Sequence, residues 1–367
     1  MDAPPLAIND VIREGNRRVA RRRTAGVAVV GTLAVLAAVG STAVLPRHSS
    51  TSNDAKEDGL AAAFAESQPT YSIGNTVYID GHSFTVDHTL ISFVQTTEGI
   101  VYSDADFNVW ASDGGNETKV GTMDESYGSL VGDGSRAAWL NDGSPKHYVV
   151  YDQATDQSAQ TPAEVSTRKE RGEFFDVEAL DGATLYSMDD RGVVRWDSLT
   201  GDLDVLAAPD QDQLEVSDVK NGTLAWSFQS SSQGEPKQEF RVGADLANGS
   251  PVVSDSNYVG IAKLSPNGDF LAAEVADGVP GLFDAHTGSA MAFDPSGYPF
   301  LVMYLWTGND TIAAAGIKDY ADGSDESTWV FDLLTCRVST GTCEVAKPGF
   351  ATMKDRFNLP VGAALDR

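Results

Sequence analysis

Cysteine is nearly absent from this chain, with two residues, Cys336 and Cys343, in 367. So few thiols exclude a thiolate metal cage, which needs more ligands close by. Histidine is scarce too, at five (His48, His82, His88, His147 and His286), and no H-E-x-x-H or comparable cluster surrounds any of them. Basic residues are outnumbered, 26 Lys and Arg against 53 Asp and Glu, for a net charge of −27. Such a balance argues against nucleic acid or an anionic membrane surface as a partner of the acidic part. After residue 70 no amphipathic stretch is long enough for a helix that would cover a sheet. Long apolar runs are missing as well, with one exception.

That exception is Ala25–Leu45, AGVAVVGTLAVLAAVGSTAVL, which carries no charge. Its 21 residues, as a helix rising about 1.5 Å each, span about 32 Å, close to the hydrocarbon thickness of a bilayer. Arg13, Arg17, Arg18, Arg21, Arg22 and Arg23 precede it, whereas the far flank has only Arg47 and then Lys56. The positive-inside rule therefore predicts a cytoplasmic N-terminus and an extracytoplasmic remainder. A cleaved signal peptide is the competing reading, with Ser41-Thr42-Ala43 as the cleavage site, but the run exceeds the usual h-region. The expected organisation is a cytoplasmic Arg-rich tail over 1–24, a transmembrane helix (signal anchor) over 25–45 and a linker over 46–70. A short helix around Leu60–Glu66 interrupts that linker.

From Tyr71 onward the sequence changes to short β-rich runs broken by Gly, Asp and Asn. One unit recurs: an apolar strand, a Gly turn, a second apolar strand, then a third carrying Trp or Phe and Asp. TLISFVQTTEGIVYSD (89–104) followed by NVWASD is one copy, and VSDVKNGTLAWSF (216–228) followed by EFRVGADLANG is another. The turn glycines Gly99, Gly134, Gly182, Gly222, Gly268 and Gly308 lie 35, 48, 40, 46 and 40 residues apart. Units of this length with four short strands are what propeller blades require. The predicted fold is an all-β β-propeller over 71–349, six blades preferred and seven the alternative, with a C-terminal tail over 350–367. The extra hairpin GNTVYIDGHSFTVD (74–87) either lends outer strands to the last blade or begins a seventh blade completed by C-terminal residues including FNLPVG (357–362).

Asp197-Ser-Leu-Thr-Gly201 and Asp284-Ala-His-Thr-Gly288 are the clearest turns between third and fourth strands; Asp152–Asp156 is a variant and Asp332–Thr335 a partial one. Their aspartates and threonines are read as turn-closing hydrogen bonders. LSPNGDFLAA (264–273) resembles the S-P-D-G-x-x-L-A signature of TolB-type and WD-repeat-like propellers, which share the D-x-x-T-G turns with quinoprotein-type propellers. The layout of arginine-rich tail, single span, linker and propeller resembles uncharacterised actinobacterial membrane proteins. The likeness covers most of residues 71–348 and implies a fold; TolB-type propellers act by binding proteins, so it also implies a protein partner.

Chemistry is harder to find. Only two blades carry the full D-x-x-T-G turn and neither is followed by the tryptophan of a quinoprotein. SDADFNVW (103–110) matches only the ends of a sialidase box, and no G-x-S-x-G elbow occurs. Four acids in KDYADGSDES, namely Asp319, Asp322, Asp325 and Glu326, are candidate Ca²⁺ ligands, without the register of an EF-hand loop. Cys336 and Cys343 bracket a tight Ser-Thr-Gly turn, and in an oxidising compartment they pair across that hairpin. Trp110, Trp139, Trp196, Trp226 and Trp329 recur on second or third strands as inter-blade packing, and Trp306, beside a turn, is the candidate surface contact. The functional expectation is a binding or assembly module that is not an enzyme. The alternatives are a sensor signalling through the arginine-rich tail and a propeller enzyme acting on envelope glycans.

Overall fold

The computed structural model describes residues 54–124, 129–165, 176–208, 214–230, 237–256, 261–276, 279–295, 297–320 and 328–363. The first element is helix α1 (Asp54–Ala65). Among the described residues the named strands that follow it all pair antiparallel. Blade 1 takes its outer three strands from β1 (Thr70–Ile73), β2 (Thr76–Ile79) and β3 (His82–Thr85). Blade 2 is β4 (Ser92–Thr96), β5 (Gly99–Ser103), β6 (Asn108–Ser112) and β7 (Glu117–Thr122). Blade 3 is β8 (Val131–Asp133), β9 (Arg136–Leu140), β10 (Tyr148–Asp152) and β11 (Gln157–Gln160). Blade 4 is β12 (Asp176–Asp181), β13 (Thr184–Asp189), β14 (Gly192–Asp197) and β15 (Leu203–Ala207). Blade 5 is β16 (Glu215–Lys220), β17 (Thr223–Ser230), β18 (Lys237–Gly243) and β19 (Ser250–Ser256). Blade 6 is β20 (Ala262–Leu264), β21 (Phe270–Ala276) and β22 (Val279–Asp284), with a bridge from Phe283 to Ala290 in place of a fourth strand. Blade 7 is β23 (Phe300–Gly308), β24 (Thr311–Ile317), β25 (Val330–Arg337) and β26 (Thr342–Thr352).

The ring has seven blades, not the six preferred from the sequence. The closing element is β27 (Phe357–Asn358), which pairs with β1 and supplies the innermost strand of blade 1. The hairpin at 74–87 therefore lends nothing to the last blade. It belongs to a seventh sheet that FNLPVG completes, so residues 350–363 are part of the ring and not a tail. Beyond β27 the chain turns back, and Val361 bridges Val94 of β4. The Gly362 N–H donates to Phe93 O at 2.9 Å and its carbonyl accepts from Leu130 N at 3.0 Å, tying blades 1, 2 and 3 together. Gly362 has φ +77°, and a Cβ there would lie 1.7 Å from Leu130 O. Only glycine fits.

The core is a series of seams between neighbouring blades. Trp139, Trp196 and Trp226 are buried on β9, β14 and β17, as inter-blade packing requires. The closing seam is the most aromatic, holding Tyr71, Phe300, Tyr304, Trp329, Phe331, Phe350 and Phe357. Helix α1 is built into this architecture, since Leu60, Ala63 and Phe64 pack with Val77, Ile79 and Phe93, and Phe64 is fully buried. Much of the expected linker therefore belongs to the fold. Asp332–Thr335, expected as a partial turn, lies within β25, and the turn follows Arg337 instead. The span expected at 25–45 lies outside the described residues. Among the described residues no helix is long and apolar enough to cross a membrane.

Candidate functional site

Strand alternation sorts the connections of the ring onto two faces. Turns between first and second strands, and between third and fourth, share a turn face; the other connections form a loop face. Along the innermost strands, toward the turn face and at mid-strand, a chain of carboxylates steps from blade to blade. Asp133, ending β8, accepts Gly182 N at 2.7 Å, and Asp181, ending β12, accepts Gly222 N at 3.1 Å. Glu178 accepts Val216 N at 3.0 Å, and the buried Asp218 accepts Leu264 N at 2.7 Å. Each acid satisfies a main-chain donor on the next blade, which would otherwise be an orphan at a sheet edge.

One amine sits inside this chain. Lys220, ending β16, donates to Leu180 O at 3.0 Å and is ion-paired with Asp133, so it joins blades 3, 4 and 5. Burial works against its charge, but Asp218, Asp133 and Asp181 more than offset that and hold it above the ordinary lysine range. The arrangement is a charge-compensated clamp at the inner rim. It holds no nucleophile beside a free base.

Farther out on the same face the turn aspartates act as the sequence suggested. Asp197 accepts the N–H groups of Leu199 and Thr200, and Asp245 those of Ala247 and Asn248. Asp284 accepts from Thr287 and His286, and these hydrogen bonds, led by the Thr287 N–H, lower its pKa. Burial of Asp113 favours its neutral form, but donors from Asn116 and Gly115 outweigh this and lower its pKa. In blade 2, Asp104 is buried and accepts from Asp106, Asn108 and the Trp110 indole, which prevail over its desolvation. Trp110 carries the His88 ring stacked on it, centroids 3.8 Å apart.

Of the acidic candidates from the sequence only one is among the described residues. Asp319 is exposed just after β24, and Asp322, Asp325 and Glu326 lie outside the described residues. Among the described residues no group of three or more His, Cys, Asp or Glu is arranged to hold a metal. Among the described residues the histidines are dispersed: His147 meets Thr161 O at 2.8 Å, and His286 pairs with Asp269 at 2.9 Å on the surface. Trp306 is a correction. It is 7 % exposed, and its indole donates to Lys263 O at 3.0 Å, packing blade 7 against blade 6 instead of meeting solvent. Cys336 and Cys343 face each other in the β25–β26 register and form a disulfide, with Cα atoms 3.9 Å apart. Between blades 6 and 7 lies a recess of about 10 Å³ lined by Ile261, Ala273, Leu301 and Met303, room for about one water. The inner-rim carboxylates are marked in the sequence only by VGDG and ALDG, which place an acid directly before the repeat glycine in two successive units.

No protein-family model matches the chain, and no curated protein is similar to it in sequence. Solved structures are similar in shape alone. The crystal structure of the tricorn protease is 12 % identical with a TM-score of 0.48, covering 76 % of this chain and 34 % of that one. TolB from Acinetobacter baumannii is 14 % identical with a TM-score of 0.37, covering 64 % of this chain and 62 % of that one. A chain of the mitotic checkpoint complex is 13 % identical with a TM-score of 0.44, covering 89 % and 90 %. At such identities no activity transfers. The chain spans about a third of the tricorn protease chain and under two thirds of TolB. The propeller assignment stands on the seven sheets themselves.

Proposed function

We propose that this chain is a single-pass, membrane-anchored protein presenting an extracytoplasmic β-propeller as a binding or assembly module for a protein partner, without catalysis. The observation that carries this reading is the use made of the carboxylates. Asp104, Asp113, Asp133, Asp197, Asp218 and Asp284 all hold main-chain N–H groups. Those bonds lock the turns of a closed ring and give it two broad rigid faces, which suit recognition by complementary surface. The charge-free run at 25–45 and the arginines before it support the anchor and its orientation.

The test is crosslinking of an affinity-tagged chain in intact cells, with partners identified by mass spectrometry, beside a copy lacking residues 2–23 but keeping basic topology signals. Envelope proteins captured equally by both are the expected result. A cytosolic regulator captured only by the full chain would replace display with signalling through the arginine-rich tail.

A further inference from the structure

The way α1 docks says where the anchor leaves the ring. Gly59 lies against the His82 ring, and Leu60 against Gly114 in the outer turn of blade 2. Beyond its C-terminal end, Gln68 O accepts from Gln95 of β4 at 3.1 Å and from Thr70 of β1 at 3.2 Å. Gln95 belongs to an innermost strand and Gly114 to an outer turn, and both lie toward the turn face. Helix α1 therefore runs across that face, over the seam of blades 1 and 2, with its N-terminus at the outer rim.

The chain between Leu45 and Asp54 is residues 46–53. Eight residues reach at most about 28 Å fully extended, and about 16 Å as a flexible coil. A free linker over all of 46–70 would have let the ring tumble; with α1 docked, most of that freedom is gone.

Resting on the anchored reading above, we propose that the outer rim of the turn face at blades 1 and 2 is membrane-proximal. The ring is held within about 28 Å of the bilayer there, and the loop face and blades 4 and 5 are left for the partner. The proximal rim exposes Asp80 and Asp113, so anionic head groups repel it and it stands off instead of adsorbing. A folded partner domain does not fit into so short a gap.

The experiment uses the full chain reconstituted into phosphatidylcholine vesicles. Both native cysteines are in the disulfide, so a single introduced thiol can be labelled selectively. Asn116→Cys sits in the outer turn of blade 2 and Leu199→Cys in the matching turn of blade 4, and both positions are exposed. Energy transfer from the label to a dye-labelled lipid head group is expected to be stronger from position 116 than from 199. Inserting about 20 Gly/Ser residues between 46 and 53 is expected to abolish that difference, because the tether no longer limits the ring. Equal transfer from both sites in vesicles that carry the protein through flotation and alkaline washing would overturn the orientation alone. Failure of the chain to float with the vesicles would overturn the anchor and the orientation together.

Discussion

Replacing Lys220 by Met removes the only amine from the inner-rim clamp while keeping the length of its stem. Asp133 then loses its ion pair, and Leu180 O loses a donor. Gly182 N still binds Asp133, so the carboxylate is stranded with one partner instead of two. Breaking a buried pair costs about 3–5 kcal/mol. The Lys220 and Asp133 side chains keep 15 % and 26 % of their exposure, which places the loss near the lower bound, at about 3 kcal/mol. With an unfolding entropy of about 2.1 cal/mol/K per residue over about 300 residues, Tm falls by about 5 °C. The pH dependence has a definite sign. The folded-state pKa of Lys220 is raised, so its contribution is complete below the ordinary lysine value and is lost only as pH rises through the higher folded value. The deficit of Lys220→Met relative to the native chain is therefore constant from pH 7 to 9. It narrows above about pH 10.5, where the unfolded lysine sheds its proton while the folded one still holds it, and the ion pair itself goes only as pH passes the higher folded value. Calorimetric or circular-dichroism melting across this range is the assay. A Tm within about 1 °C of the native chain at pH 7 would refute the clamp.

Three further outcomes follow from the packing. Phe64→Ala empties a fully buried position beneath α1 and is expected to cost about 3–5 kcal/mol; an unchanged melt would mean that α1 does not belong to the core. Gly362→Ala drives a methyl against Leu130 O at a backbone angle that favours glycine, so it weakens ring closure; limited proteolysis should cut this variant faster near the blade 1–2 seam, and equal rates would count against the clasp. Replacing Cys336 and Cys343 together by Ser frees an eight-residue loop and is expected to cost about 2.5 kcal/mol by chain entropy, read as a Tm lowered by about 4 °C that reductant no longer changes.

Much of the repeat was legible because blades are local. Each β hairpin closes within a few residues, and its Gly, Asn or Asp turn leaves a mark that spacing reveals. The glycines at 134, 182, 222 and 268 do fall in first-to-second-strand turns, and the Asp197 and Asp284 turns form as read. The errors came where contacts are long-range. Trp306 looks like a turn residue in sequence, but its burial comes from blade 6, some 40 residues away. The blade count failed for the same reason, because the seventh sheet is assembled from the two ends of the ring. Phe357 and Asn358 are only two paired residues, too short a strand to announce itself by periodicity.

The candidate site divides the same way. Asp and Gly side by side at 133–134 and 181–182 predict a turn, and local chemistry requires no more. That each carboxylate reaches a donor on the following blade depends on blade stacking. By itself the sequence determined the repeat unit, the turn chemistry, the cysteine hairpin and the acidic balance, all set by neighbours within about ten residues. The tertiary structure decided the number of blades, the incorporation of α1, the burial of Trp306 and the partners of Lys220. Those depend on closing a ring of several hundred residues, and closure joins groups that no local pattern connects.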